Sequence, residues 1–420
     1  MTDRTVLVIA YYFPPMGLSG VLRTVKLIKH LADYGWKPIV LTTTPRTFYA
    51  YDETLLTQLE ERNVEIYRTP AKKGILTSRR TGIKKLPGFF RKNFIRPVSK
   101  LIYQPDPTIR WRKQAMMTAN EIMRNHRVNI ILATAPPFSD FMIASEIAEE
   151  HSLPFVVDYR DSWIDTSSPV PFRTSKMRKL EANILARAAK TIVTTRFAKE
   201  NLIRRYQAVG HEDVMILPHG YDGDDFRVEN ASKVSHENFI LTHCGVFQED
   251  CTPKYFLKAL SNFISKNPTI KSKIEARFVG TMQPNHTKYI AKYGLDGVVH
   301  CTGYVPHNEA IKHLCESDVL WLTANNAERL PGKLFEYIGA KKPLLVCAPD
   351  GSICKTAIDT KAAITTAPTD IKAIESAIST LYNAWSEGKL PKPDSKYAAL
   401  FETKLLTSDL SRELAISARM

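Results

Sequence analysis

The chain has 420 residues, 44% hydrophobic and 24% charged. That balance excludes a disordered chain, a collagen and a coiled coil, and the length suits two or three domains. Basic residues outnumber acidic ones 58 to 43, for a net charge of +15. The excess is local: residues 72–113 carry thirteen basic residues and one acid, Asp106, and the remainder is close to neutral.

No apolar run approaches the ~18 residues that a spanning helix needs. The opening run Val6–Phe13 lacks a basic leader and a small-residue cleavage site, so no signal peptide is expected. The six cysteines, Cys244, Cys251, Cys301, Cys315, Cys347 and Cys354, all lie late. No pair has a zinc-knuckle spacing and no histidine cluster accompanies them, so reduced thiols in a cytosolic domain are expected.

Thr5–Ala10 is short, β-branched and unbroken, as in a parallel strand buried on both faces. The loop YYFPPMGLSG follows, then a helical pattern at Val21, Leu22, Val25, Leu27, Ile28 and Leu31, closed by Gly35. Lys37–Thr43 is the next strand, completing a strand–helix–strand unit. Strands at Asn129–Thr134 and Pro154–Tyr159 flank a helix over Phe138–His151. A helix over about Ser175–Ala189 leads to strand Thr191–Thr195, and a further helix precedes Asp213–Pro218. The polar stretch at 226–237 then reads as a domain boundary. A second alternating series places strands at Phe239–Gly245, Ile274–Gly280, Gly297–Gly303, Asp318–Thr323, Pro343–Ala348 and Ala362–Ala367. Its helices span 253–266, 285–293, 307–316, 332–340 and 370–387, and the tail from Lys396 reads as helix. Two open α/β units are expected: residues 1–226, with a basic insertion at 72–113, and residues 227–395. The helix over 396–420 could pack back on the first. In such folds ligands bind beyond the carboxyl ends of the strands, which makes a cleft between two such units the expected site.

Several segments resemble one family. FPPMGLSGVLRTVKLIKHLADYGWKPIVLT, ATAPPFS, PFVVDYRDSW, ILPHGYDGDDF, GYVPHNEAIKHL and RLPGKLFEYIGAKKPLLV are similar to segments of family 4 retaining glycosyltransferases, in family order. The likeness is nearest to the bacterial sugar transferases of surface-polysaccharide pathways. It implies the GT-B fold, two Rossmann-like doubly wound domains facing across a cleft, with the acceptor on the first and a nucleotide-sugar donor on the second.

Glu328 and Glu336 are separated by seven residues in ERLPGKLFE. The resemblance makes Glu336 the ribose ligand and Glu328 the contact to the donor sugar. Independently of any family, Pro331 and Gly332 suit a loop entering a helix, whose first N–H groups can receive a diphosphate. Arg329 and Lys333 add positive charge there. Gly332, Leu334, Gly245 and Lys254 complete the expected donor site. Relatives usually place a basic residue after the first strand of the second domain; Glu249 and Asp250 stand there in this chain, so either Lys254, or Arg329 with Lys333, takes over leaving-group stabilisation, or catalytic efficiency is compromised.

Gly17 and Gly20, in the first loop, would let the backbone approach phosphate or acceptor, and Arg23 would either point into the cleft or lie in solvent. GLSG is not a dinucleotide fingerprint, since the third glycine and the acidic end of the second strand are missing. Arg160 and Asp161, in DYRDSW at a strand's carboxyl end, would orient the donor sugar or the acceptor hydroxyl; the alternative is a buried Asp–Arg pair that holds the loop. His219–Asp222 reads as a turn. The Asp222, Asp224, Asp225 group imitates a metal-binding pattern of a different transferase fold, and no metal or other cofactor is expected.

These residues imply transfer of a sugar from a nucleotide sugar to a hydroxyl of a glycan or lipid-linked acceptor, with retention. The alternatives are a nucleotide-sugar epimerase on the same fold and a degenerate, non-catalytic binding protein. No nucleic-acid motif accompanies the basic segment. Its interleaved Ile75, Leu76, Leu86, Phe89, Phe90, Phe94, Ile95, Leu101 and Trp111 suggest instead an anionic membrane surface at the inner face of the plasma membrane.

Overall fold

A computed structural model describes residues 4–17, 19–44, 50–69, 105–164, 171–227, 237–247 and 251–419, without the side chains of residues 19 and 171–174. The chain forms two compact units, Met1–Pro218 with Thr403–Met420, and His219–Glu402.

The first unit holds strands β1 (Arg4–Ile9), β2 (Trp36–Thr43), β3 (Glu65–Thr69), β4 (Ile130–Ala135), β5 (Phe155–Tyr159), β6 (Lys190–Val193) and β7 (Val214–Ile216). They pair in parallel in the order β3-β2-β1-β4-β5-β6-β7. Leu7 of β1 lies between Ile39 of β2 and Ile131 of β4. Val6 to Ile9 are fully buried, because helices cover both faces of the sheet, and this accounts for the unbroken apolar runs. Chain order reverses between β1 and β4, so the loops after those strands lie at the topological switch point.

In the second unit β8 (Phe239–Cys244), β9 (Ile274–Val279), β10 (Val299–Gly303), β11 (Val319–Thr323), β12 (Leu344–Cys347) and β13 (Ala363–Thr366) form a parallel sheet in the order β10-β9-β8-β11-β12-β13. Its switch point lies between β8 and β11. The core stacks Trp321 on Phe256, with ring centroids 3.9 Å apart.

β3 and the helices Thr54–Glu60 and Arg112–Asn125 escaped the sequence reading. β3 is a half-buried edge strand, and its sequence EIYRT lacks the apolar run that marks the central strands. The units part at Pro218/His219, earlier than the polar stretch at 226–237. His219 onward packs on the second unit: the Tyr221 N–H donates to the Phe401 carbonyl at 3.0 Å, and a Cβ on Gly339 would come within 2.5 Å of the Tyr221 ring. The tail is two helices. Ser395–Ala399 belongs to the second unit, whereas Thr403–Ser417 lies in the first, against the helix Ser19–Leu31. Leu406, Leu410 and Leu414, spaced four apart, enter the core there beside Val21 and Val25. Trp36 Nε1 donates to the Ser411 carbonyl at 3.2 Å.

Most of the basic segment, residues 72–104, lies outside the described residues, as do Glu249 and Asp250. The part that is described corrects the expected membrane face at one aromatic. Trp111 is buried in the first core, edge-on to Tyr11 at 5.3 Å, while Arg112 pairs with Glu146 at 2.5 Å.

Candidate functional site

In the second unit the helix Gly332–Gly339 begins after Pro331, whose backbone is extended at φ −74° and ψ 140°. Leu334, Phe335, Tyr337 and Ile338 bury its apolar face against the sheet. Lys333 and Glu336, three residues apart, share another face of the same helix. The Tyr337 hydroxyl accepts the Cys244 N–H at 2.6 Å and so ties the helix to the end of β8. Burial holds that phenol well above its ordinary pKa, and it pushes the Cys244 thiol up to about 12.

Gly245 follows Cys244 at φ +110°, and a Cβ there would sit 2.9 Å from Lys333 Nζ. Gly280, at φ +124°, backs directly onto the Gly245 backbone. These two glycines leave room for the lysine at the end of β8. Desolvation lowers the Lys333 pKa, against the raising effect of Cys244, Cys251 and Glu336. Lys333 Nζ lies 3.4 Å from His243 Nε2.

Glu336 Oε1 is 2.8 Å from His307 Nε2. A carboxylate only accepts, so the imidazole donates here. On its other side, His307 Nδ1 is 4.0 Å from Asp225 Oδ2. The Asp222 carboxylate caps the short 3-10 turn Gly223–Phe226, accepting the Asp224 N–H at 3.1 Å. Thus Asp222 and Asp225 have structural partners within the second unit.

Glu328 and Arg329 are exposed, and both backbone N–H groups donate to Asn326 Oδ1, at 2.8 and 3.0 Å. The side chain of Asn326 thereby shapes the loop that presents them. Lys254 starts the helix Lys254–Lys266, with its ammonium 5.2 Å from the Tyr255 ring centroid. Leu334 departs from expectation. Its N–H is spent on the Pro331 carbonyl at 3.0 Å and its side chain is fully buried, so the helix start presents the N–H groups of Gly332 and Lys333 instead.

In the first unit the reading of Arg23 is corrected. Its guanidinium is buried on Asp158, with Nε 3.1 Å from Oδ2 and Nη2 3.0 Å from Oδ1. It also donates to the carbonyls of Pro218 at 2.6 Å and Leu217 at 2.9 Å. Thr134 Oγ1 donates to Asp158 Oδ2 at 3.2 Å. A buried Asp–Arg pair exists, therefore, but its arginine comes from the first helix. It fastens β5 to the strand end after β7.

Arg160 is buried beyond β5. Its Nη2 donates to the Pro136 carbonyl, and a Cβ on Gly20 would lie 3.3 Å from its Nη1. Nε of Arg160 and Oδ1 of Asp140 are buried without a hydrogen-bond partner among the described residues. Asp140 Oδ2 accepts the Tyr11 N–H at 2.8 Å. Desolvation holds the Asp140 carboxyl well above the usual range, opposed by Tyr11 and Arg160. Burial, with Tyr11, Asp106 and Asp140 nearby, pushes the Tyr12 phenol up to about 12. Asp106 Oδ2 accepts the Ser139 N–H at 3.1 Å. Arg160, Asp140 and Tyr12 thus cluster beyond β1, β4 and β5, at the switch point. Gly17 closes the first loop by donating its N–H to the Ala50 carbonyl at 3.1 Å. Asp161 is half-buried beside Arg160.

His243, His307 and Asp140 were missed in the sequence. The histidine inside the apolar strand FILTHC and the acid after APPFS are the visible signals.

Residues 225–398 match the family Glycosyl transferases group 1, and residues 20–225 match Glycosyltransferase Family 4. No curated protein matches the chain by sequence. HepE from Anabaena, solved with UDP and glucose, is similar at TM-score 0.65 and 14% identity, over 98% of this chain and 100% of that one. A glycosyltransferase from Rickettsia africae is similar at TM-score 0.67 and 14% identity, over 99% of each chain. UDP-GlcNAc 2-epimerase from Neisseria meningitidis, bound to UDP-GlcNAc, is similar at TM-score 0.59 and 12% identity, over 98% and 100%. At these identities the solved structures establish the fold. Glycosyltransferase domains occupy both units, and the chain is a glycosyltransferase of the GT-B fold.

Proposed function

We propose that the protein transfers a sugar from a nucleoside-diphosphate sugar to an acceptor hydroxyl, with retention, in the assembly of a bacterial surface polysaccharide or glycolipid. The observation that carries this reading is the Lys333–Glu336 pair at the start of one helix, beyond the switch point of the second sheet. In this reading Glu336 binds the ribose diol, with its carboxylate oriented by His307 at Oε1. The Lys333 ammonium, the N–H groups of Gly332 and Lys333, and Arg329 receive the diphosphate. Glu328 contacts the donor sugar.

Negative charge grows on the diphosphate as the glycosidic bond breaks. A fixed ammonium and a helix start stabilise that charge where it develops, which is what accelerates the step. Lys333 stands where a partly desolvated charge acts most strongly. Catalysis then rests on leaving-group stabilisation and on positioning the acceptor hydroxyl on the same face. Arg160 and Asp161 of the first unit orient the sugar or the acceptor, a glycan or lipid-linked sugar. The diphosphate is neutralised by these side chains, with no metal cofactor assigned.

Mass spectrometry of reactions containing nucleoside-diphosphate sugars and lipid-linked acceptors tests the proposal. An acceptor mass raised by one sugar, with release of nucleoside diphosphate, supports it. The likeness to an epimerase gives a second reading. Under that reading an epimerised sugar forms from donor alone, with no acceptor required.

A further inference from the structure

His243 lies in β8 with 1% of its surface exposed, an unusual place for an imidazole among Phe239, Ile240 and Leu241. Both of its ring nitrogens and its ring face have a partner. The ring stacks on Phe247 at 4.4 Å between centroids, with 7° between planes. Nδ1 lies 3.0 Å from the Trp321 carbonyl oxygen of the neighbouring strand β11. A carbonyl oxygen accepts only, so Nδ1 carries the hydrogen. Burial and the adjacent Lys333 push the imidazole well below its ordinary pKa, which leaves Nε2 as a bare lone pair. That lone pair faces Lys333 Nζ at 3.4 Å. The opposite tautomer would put two donors head to head and leave Nδ1 facing an acceptor with no hydrogen to share.

We infer that His243 is a positioning residue: held in one tautomer by the Trp321 carbonyl, it accepts a hydrogen bond from Lys333 and fixes the ammonium over Gly245, aimed at the donor diphosphate. This inference rests on the donor-site reading above. The long lysine side chain has rotamer entropy to lose, and a fixed acceptor at its tip removes much of that loss from the binding step. The mainstay of the geometry is the parallel pairing of β8 with β11, which fixes the His243 ring relative to the Trp321 carbonyl. Gly245 and Gly280 then supply the space in which the ammonium is held.

Two substitutions separate this role from simple core packing. His243→Phe keeps a ring to stack on Phe247 and removes both polar atoms. His243→Gln loses the stack but restores an amide oxygen near the position of Nε2. Both are first checked by circular dichroism and thermal unfolding in the full-length protein. Calorimetry then compares UDP with uridine. We expect His243→Phe to weaken UDP about threefold to tenfold and uridine hardly at all, with His243→Gln recovering part of the loss. In a Lys333→Ala background the effect of His243→Phe on UDP should vanish. Equal losses for UDP and uridine, or a loss that persists without Lys333, would overturn the assignment.

A nucleotide-independent arm distinguishes failure of the pairing from failure of the donor-site reading. The lysines are reductively methylated with 13C-formaldehyde, and the Lys333 signal, assigned by its loss in Lys333→Ala, is titrated by NMR. Removal of the acceptor should lower the pH at which this amine titrates in His243→Phe, and His243→Gln should return it toward the wild-type position. An unchanged titration refutes the pairing. A shifted titration with no binding of UDP, GDP, ADP, CDP or TDP by the wild type upholds the pairing and removes the diphosphate as its purpose.

Discussion

His307 holds Glu336: Nε2 donates to Oε1 at 2.8 Å, and the ring is itself backed by Asp225 Oδ2 at 4.0 Å. One carboxylate oxygen is therefore oriented by the protein. Loss of His307 removes a donor from a half-buried acceptor.

From this follows a split in kinetics. Glu336→Ala should raise the donor KM about tenfold or more, as loss of a charged hydrogen-bond acceptor does. His307→Ala should give a smaller rise of the same kind, and His307→Gln should restore part of it. Glu328→Ala should lower kcat with little change in donor KM. Steady-state kinetics at sub-saturating donor check all four; wild-type rates in both glutamate variants would refute the assignment.

The Arg23–Asp158 pair predicts a stability effect. Both groups are buried, and Asp158 also accepts from Thr134. Arg23→Met leaves a buried carboxylate without its guanidinium partner and two carbonyls, Leu217 and Pro218, without their donor. Urea unfolding of the first unit's transition should show a loss of about 3–5 kcal/mol. A change below about 1 kcal/mol would show that the pair is solvated and expendable.

Asp140 predicts a pH dependence with a definite sign. Its folded pKa is raised well above 3.8, chiefly by burial. Between the unfolded and folded values the unfolded chain has lost a proton that the folded chain keeps, so this group's contribution falls as pH rises. Below about pH 3.9 both states are protonated and the contribution is fully present. Asp140→Asn keeps an oxygen for the Tyr11 N–H and removes the ionisation. Its stability relative to wild type should therefore rise from pH 4 to pH 7, measured by urea midpoints. A relative stability independent of pH, or falling with it, contradicts the buried-acid account.

The basic segment predicts vesicle binding. Charges near an anionic surface contribute roughly 1 kcal/mol each. Sedimentation with phosphatidylserine-containing vesicles should weaken with salt and fall sharply when Lys84, Lys85, Arg91 and Lys92 become Glu. Equal binding to neutral vesicles would exclude this role. Trp111→Ala is expected to destabilise the first core rather than to weaken vesicle binding, since its ring is buried against Tyr11.

The sequence alone determined the elements whose signal is local. Thr5–Ala10 and Phe239–Gly245 announce themselves as strands because a central parallel strand is covered on both faces and must be apolar throughout. The loop and helix start that carry Glu328, Lys333 and Glu336 are legible because Pro331 and Gly332 mark the turn within the contiguous stretch ERLPGKLFE. Pairings between distant residues come from the folded sheet order and are not local. Arg23 reads as a helix arginine until β5 brings Asp158 to it, 135 residues away. His243 and Lys333 meet across 90 residues, and His307 and Glu336 across 29. Leu334 looked like part of the helix start, yet its N–H turns back to Pro331 and its side chain enters the core. The edge strand β3 stayed hidden because half of its surface lies in solvent and carries no apolar run. Local pattern fixes what a segment can become, whereas the partner of a buried charge depends on strand order, which is set by packing over the whole sheet.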